Sequence, residues 1–186
     1  MHNTSKYDFT VIVPLYNEED NVWALEEKLG AWLKAAPVRS CVLFVDDGST
    51  DSSFERVREV CGRNDHFYYL QLSRNSGLSA ALKAGFDAAE SPWLGYIDAD
   101  LQTTPEDFNL LLSHTGDYDM VIGIRAHRRD TGFKKLQSKI ANGFRRKMTG
   151  DGVADTGCPL KVISTPLAKK LPMFTGLHRF LPALGL

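Results

Sequence analysis

The chain has 186 residues, 43% of them hydrophobic, and a formal net charge of −1. That length suits one domain with a full core, and the near-neutral balance supplies no global field of the kind that gathers nucleic acid. Cys41, Cys61 and Cys158 lack metal-ligand spacing and read as reduced thiols of a cytosolic setting. The polar start Met1-His2-Asn3-Thr4-Ser5-Lys6 has no signal-peptide core, and no uncharged apolar stretch of about 18 residues or more is present to span a membrane.

Phe9-Thr10-Val11-Ile12-Val13-Pro14 predicts a buried strand, rich in β-branched residues and stopped by proline. Asn17-Glu18-Glu19-Asp20 then opens a helix to about Ala36, with acids in its first turn and Leu25, Leu29 and Leu33 on one face. Cys41-Val42-Leu43-Phe44-Val45 is a second buried strand. The polar turn Asp46-Asp47-Gly48-Ser49-Thr50-Asp51 leads into a helix from Ser52 to Cys61. Further on come a strand at Phe67–Leu72, a helix at Leu78–Ala89, a strand at Trp93–Ile97, a short helix at Pro105–Leu112 and a strand at Asp119–Gly123. Buried strands alternating with amphipathic helices at roughly 30-residue spacing predict an α/β fold with a mainly parallel sheet.

In such sheets ligands bind at the carboxyl ends of strands, near a change of strand order. Four polar clusters fall at such ends: Tyr16-Asn17-Glu18, Asp46-Asp47-Gly48-Ser49, Ser73-Arg74-Asn75 and Asp98-Ala99-Asp100. Asp98 and Asp100 repel each other where a buried strand meets solvent, and a cation or a shared proton relieves that repulsion. A hard cation such as Mg²⁺ takes one or two carboxylates and completes its shell with water and phosphate oxygens. Gln102 extends the series to a third oxygen donor. The turn after the second strand has two readings, a capped strand-to-helix turn or an aspartate that accepts a base N–H. Tyr16 likewise is either a stacking platform for a base or rim packing. No Gly-x-Gly-x-x-Gly follows the first strand and no Walker-type Gly-Lys-Ser/Thr exists, which disfavours dinucleotide and P-loop sites.

From Arg125 the character changes. Arg125, Arg128, Arg129, Lys134, Lys135, Lys139, Arg145, Arg146 and Lys147 are opposed only by Asp130, and Phe133, Leu136, Ile140, Phe144 and Met148 share one face of a basic amphipathic helix. A helix of this kind suits either solvent or an anionic partner.

These residues carry a family resemblance. Val13-Pro14-Leu15-Tyr16-Asn17-Glu18, Val45-Asp46-Asp47-Gly48-Ser49-Thr50-Asp51 and Asp98-Ala99-Asp100-Leu101-Gln102 resemble, in order and spacing, the three hallmark blocks of family-2 glycosyltransferases. Arg74-Asn75-Ser76-Gly77 fits the intervening block. Asp155-Thr156-Gly157-Cys158-Pro159-Leu160-Lys161 and His178-Arg179-Phe180 are similar to the polyprenyl-phosphate branch, which includes dolichyl-phosphate mannose synthase-like proteins. The resemblance implies a GT-A (Rossmann-like) three-layer α/β/α sandwich forming a single domain over 1–186. Its nucleotide-binding half would run from about 8 to 124 and its acceptor-side half from about 125 to 186. It implies further that Pro14, Tyr16, Glu18, Val45 and Asp47 hold the nucleoside and that Asp98, Ala99 and Asp100 approach the ribose and diphosphate. Asp100 and Gln102 would bind Mg²⁺ or Mn²⁺, Arg125 would meet phosphate, Arg129 and Ser138 the acceptor phosphate, and Asp155 the sugar.

The activity so implied is inverting, metal-dependent hexosyl transfer from a UDP- or GDP-sugar to a polyprenyl phosphate, at the cytoplasmic face of a membrane. A saccharide acceptor, a carboxylate-pair phosphoryl transferase and a non-catalytic nucleotide-sugar module are the rivals, and homo-oligomerisation stays open. The branch continues past the His-Arg-Phe block into a further strand and membrane-embedded helices. This chain stops at Leu186 after a proline- and glycine-interrupted tail, which reads as a truncated catalytic domain with no anchor of its own.

Overall fold

A computed structural model of the chain describes residues 4–123 and 160–172. Eleven elements follow in chain order: β1 (Phe9–Leu15), α1 (Val22–Ala35), β2 (Ser40–Asp46), α2 (Ser53–Arg63), β3 (Phe67–Gln71), α3 (Leu78–Ala88), β4 (Trp93–Tyr96), α4 (Asp107–Leu112), β5 (Met120–Ile122), β6 (Lys161–Ser164) and α5 (Thr165–Lys170). The strands form one six-stranded sheet in the order β3-β2-β1-β4-β6-β5. β1 to β4 are mutually parallel, whereas β6 runs antiparallel to both β4 and β5.

Strand side chains alternate between the two faces of a sheet, and here both faces are covered. Phe9, Val11, Val13 and Leu15 of β1, with Val42 and Phe44 of β2, pack against Leu25, Leu29 and Trp32 of α1, Val57 and Val60 of α2 and Phe108 of α4. Ile12, Leu43 and Val45 face the other way, toward Ala81, Leu82 and Phe86 of α3 and Ala168 of α5. Double coverage explains why β1 and β2 read as unbroken apolar runs rather than alternating ones. Right-handed crossovers keep helices on one face while the strand order advances and move them to the other once it reverses. The order advances β1→β2→β3 with α1 and α2 on one face, then doubles back to β4, and α3 lies on the opposite face.

Two differences from the sequence expectations have physical causes. α1 starts at Val22, not at Asn17, because Asn17 adopts a left-handed φ of 54°. The Glu18 and Glu19 backbone N–H groups are spent on Ser53 Oγ (2.8 Å) and Asp51 Oδ2 (3.3 Å) rather than on a helix start. β6 and α5 have no counterpart in the sequence reading. Four residues are too few to show a period, although Ser164-Thr165-Pro166, with proline in the first turn, is a recognisable helix start. No helix among the described residues is long and apolar enough to cross a membrane.

Gly95 in β4 is where this core is tightest. A β-carbon there would lie 2.5 Å from Phe9 Cζ, 2.7 Å from Phe108 Cε1 and 3.1 Å from the Lys161 carbonyl oxygen. The rings belong to an edge-to-face cluster of Phe9, Trp32 and Phe108, and the carbonyl is held in the β4–β6 ladder. Gly95→Ala is therefore expected to cost about 1–3 kcal/mol by overpacking. Urea denaturation should show a lower midpoint with an unchanged slope.

Candidate active site

The site forms where β1 and β4 part. Their ladder pairs Phe9 to Ile12 with Trp93 to Tyr96 and ends with the Ile97 N–H donating to the Ile12 carbonyl (3.1 Å). The next donor on that side of β1 is residue 14, and Pro14 has no N–H. On its other side β1 stays paired with β2 as far as Leu15↔Asp46. The carboxyl end of β4 is thus released from β1 while that of β2 is not. A cleft of about 270 Å³ opens there, lined by Pro14, Leu15, Tyr16, Glu18, Asp47, Leu78, Ala81, Asp98, Ala99 and Asp100. It lies at the switch point of the strand order, where α/β sheets place ligands.

Each wall is braced by polar contacts between loops. The loop after β1 is tied to the loop after β2: the Asn17 N–H donates to Ser49 Oγ (3.0 Å), and the Thr50 N–H donates back to Asn17 Oδ1 (2.8 Å). Asn21 Nδ2 donates to Glu18 Oε2 (2.6 Å), which fixes that carboxylate at the cleft edge. Asp46, fully buried, accepts the Ser49 N–H at 3.3 Å and turns the chain. Gly48 follows at φ 70°, where a side chain would strain the backbone and would also lie 2.5 Å from the Arg74 carbonyl carbon.

Asp47 is 4% exposed and holds the loop after β3, with Oδ1 accepting from the Ser76 N–H (2.8 Å) and Oδ2 from the Gly77 N–H (2.7 Å). Asp46 and Asp51 supply the capped turn, while Asp47 accepts from the loop after β3. The carboxylate lines the cleft, and both its oxygens are engaged by the loop that leads into Leu78. Tyr16 lines the cleft and is 41% exposed.

Of the residues named from the sequence, Pro14, Tyr16, Glu18, Asp47, Asp98, Ala99 and Asp100 come together here. Val45 does not line the cleft. Its side chain points into the core with Ile12 and Leu82, because it lies on the other side of the pleat from Phe44. Gln102 lies just outside the lining, exposed, with its N–H donating to Asp100 Oδ1 (3.1 Å). Arg125, Arg129, Ser138 and Asp155 fall outside the described residues, as do the basic helix and the His178-Arg179-Phe180 block. Leu78, Ala81, Lys28 and Lys161 belong to the site or its supports and were not assigned roles from the sequence. For Lys161 a signal existed, since it ends the Asp155–Lys161 block.

The charge of the cleft decides what it can hold. Among its described lining residues there are four carboxylates and no lysine, arginine or histidine. Burial, and then the neighbouring charge of Asp100, push the Asp98 carboxyl above its ordinary range, with Lys161 pulling the other way. Lys161 is 3% exposed and donates from Nζ to Tyr96 Oη (3.1 Å). The antiparallel run of β6 brings its first residue beside the end of β4. Among the described residues no group of three or more His, Cys, Asp or Glu side chains is arranged to hold a metal. Asp47 has both carboxylate oxygens engaged by backbone N–H groups, whereas Asp100 has Oδ1 engaged by the Gln102 N–H and Glu18 has Oε2 engaged by Asn21. A pair of carboxylates completed by water and phosphate is the donor set that Mg²⁺ or Mn²⁺ accepts.

Two outcomes test this wiring. Asp47→Ala leaves two N–H groups without their acceptor and should cost about 1–3 kcal/mol, with faster amide exchange at Ser76 and Gly77 as the local readout. Asp98 binds its proton more tightly folded than unfolded, so the metal-free fold gains stability as pH falls from neutral through that raised pKa to the ordinary aspartate value. Asp98→Asn should therefore raise the metal-free melting temperature at neutral pH, and the advantage should vanish in acid below the ordinary aspartate range.

Residues 10–171 match the family described as Glycosyl transferase family 2. A dodecaprenyl-phosphate galacturonate synthase from Rhizobium johnstonii is 34% identical over 180 residues, covering 95% of this chain and 53% of that protein. An undecaprenyl-phosphate 4-deoxy-4-formamido-L-arabinose transferase from Pectobacterium carotovorum subsp. carotovorum is 37% identical over 154 residues, or 82% of this chain and 47% of its own length. The chain thus spans about half the length of these relatives. Among solved structures, a mannosyltransferase from Pyrobaculum calidifontis in complex with GDP-Man and Mn²⁺ superposes with a TM-score of 0.63 at 21% identity, covering 90% of this chain and 47% of that one. Glucosyl-3-phosphoglycerate synthase from Mycobacterium tuberculosis, in complex with Mn²⁺, UDP and glucosyl-3-phosphoglycerate, gives 0.66 at 15% identity, covering 87% of this chain and 58% of that one. The fold is the GT-A fold, and the chain belongs to the family-2 glycosyltransferases.

Proposed function

We propose that this chain is the donor-binding catalytic part of a transferase that moves a sugar from a UDP- or GDP-sugar to a polyprenyl phosphate at the cytoplasmic face of a membrane. The observation that carries the reading is the cleft of four carboxylates at the β1/β4 switch point. A diphosphate enters such a cleft only with a cation, and two ligating carboxylates leave coordination positions for diphosphate oxygens. The relatives' names support the acceptor class, since two of them are a dodecaprenyl-phosphate synthase and an undecaprenyl-phosphate transferase.

In this reading Tyr16, with Pro14 and Glu18, receives the nucleoside at the cleft mouth, and Asp47 sets the wall by holding residues 76 and 77 in place. Asp98 and Asp100 would hold the divalent ion, and such an ion would supply stabilisation of the charge that develops on the leaving diphosphate. Gln102 supports Asp100 through its backbone N–H. A lipid monophosphate needs no general base, because its second pKa is about 6, as in phosphoserine, and it is already an anionic nucleophile. What it needs is relief from repulsion by the donor. Arg125, Arg129 and Ser138 are assigned to that task, and Asp155 to orienting the sugar, with single displacement inverting the anomeric centre.

Calorimetric titration with UDP and with GDP, each with Mn²⁺, with Mg²⁺ and with chelator, tests the donor half. Tight binding of one nucleotide is expected only with metal, and Asp100→Ala should weaken it at least tenfold, about 1.4 kcal/mol. Equal affinity with and without metal would refute the metal reading. Transfer of labelled sugar to polyprenyl phosphate, with an oligosaccharide as the competing acceptor, tests the other half.

A further inference from the structure

We propose that Lys28, on α1 and outside the cleft, is a positioning residue that aims the Asp100 carboxylate through a single peptide plane; this rests on Asp100 being a metal ligand. Lys28 Nζ donates to the carbonyl oxygens of Leu101 (3.0 Å) and Thr103 (2.8 Å). The Gln102 N–H donates to Asp100 Oδ1 (3.1 Å). The Leu101 carbonyl and the Gln102 N–H are the two ends of one peptide unit, which is planar and rigid. The lysine thus holds the oxygen end of the plane whose hydrogen end holds the carboxylate. A cation on the carbonyl also polarises the unit and strengthens its N–H as a donor.

The backbone around this plane needs holding. Leu101 is one of two non-glycine residues at positive φ among the described residues, at 62°, a conformation that persists only where surroundings enforce it. Its side chain packs against the core cluster that contains Leu25 and Leu29 of α1. One helical turn beyond Lys28, Trp32 Nε1 donates to Asn109 Oδ1 on α4 (3.0 Å). α1 therefore grips the segment after Asp100 at both ends, through Lys28 near the ligand and through Trp32 near α4. Lys28 is half-buried, so the two carbonyls replace water that its ammonium has lost.

The test compares wild type with Lys28→Met, which keeps the stem and removes the donors, and Lys28→Arg, which keeps charge and reach. Amide exchange at Gln102 is followed in the metal-free proteins, and free Mn²⁺ is counted by paramagnetic resonance in the presence of UDP or GDP. Lys28→Met should speed Gln102 exchange at least tenfold and weaken Mn²⁺ binding about five- to tenfold, while Lys28→Arg stays within about twofold of wild type. Unchanged Gln102 exchange, or faster exchange with unchanged Mn²⁺ affinity, overturns the proposal and leaves the metal reading intact. Absence of metal-dependent nucleotide binding in wild type is the separate result that brings down both. Should Lys28→Met fail to fold, Lys28→Gln, neutral but still a donor, is held to the same Mn²⁺ criterion.

Discussion

The arrangement of this site depends on the point at which β1 stops bonding to β4. Up to Ile12 the strand is central and paired on both sides; at Pro14, the next residue facing β4, it has no N–H to donate, and only the pairing with β2 goes on. Strand order reverses at the same place. A ladder that continued would carry residues 97–100 alongside β1 and close the cleft. Because it ends, Asp98 to Asp100 swing away from Tyr16 and Glu18, and the space between them becomes the binding volume. The proline is tolerated because no ladder partner remains on that side.

A cleft made by separation needs walls that do not collapse, and the loops supply them by bonding to one another. Asn17 joins the β1 and β2 loops, Asp47 joins the β2 and β3 loops, and Lys28 holds the β4 loop from below. Each link ties a side chain on one loop or helix to backbone groups of another. Loop conformation here is therefore set by tertiary partners rather than by local propensity. Positive φ at Asn17 and Leu101 is the visible consequence, at the two residues that turn the chain after Tyr16 and after Asp100.

This same non-locality separates what was legible in the sequence from what was not. Apolar runs are local, so β1 to β4 and the three helices beside them were readable, as were the polar clusters that close each strand. The start of α1 was not, because Glu18, Glu19 and Asp20 look like a first helical turn until Ser53 and Asp51 take the N–H groups. Val45 was named through the family resemblance; its side chain lies on the core side of the pleat, so only its backbone could serve a nucleoside there. Lys28 carried no signal, since its acceptors lie 73 and 75 positions away. β6 was hidden by its length, and with it the route by which Lys161 reaches the end of β4.

The two lysines also explain why the acidic cleft is not neutralised from within. Lys28 directs its ammonium at backbone carbonyls, and Lys161 directs its own at Tyr96 Oη while buried in the sheet. Lys28 holds the backbone just after Asp100 and Lys161 binds Tyr96 at the end of β4, and neither is among the lining residues. Lys161 pulls Asp98 toward ionisation but does not outweigh burial and the charge of Asp100. The segment is thereby held in shape with its negative charge left facing the cleft. A diphosphate arriving alone would meet that charge unshielded, whereas one arriving with a divalent ion would find two carboxylates already in position. On the proposed reading, the same supports that hold the loop would favour a metal-bound ligand over a bare anion, because they fix the geometry without cancelling the field.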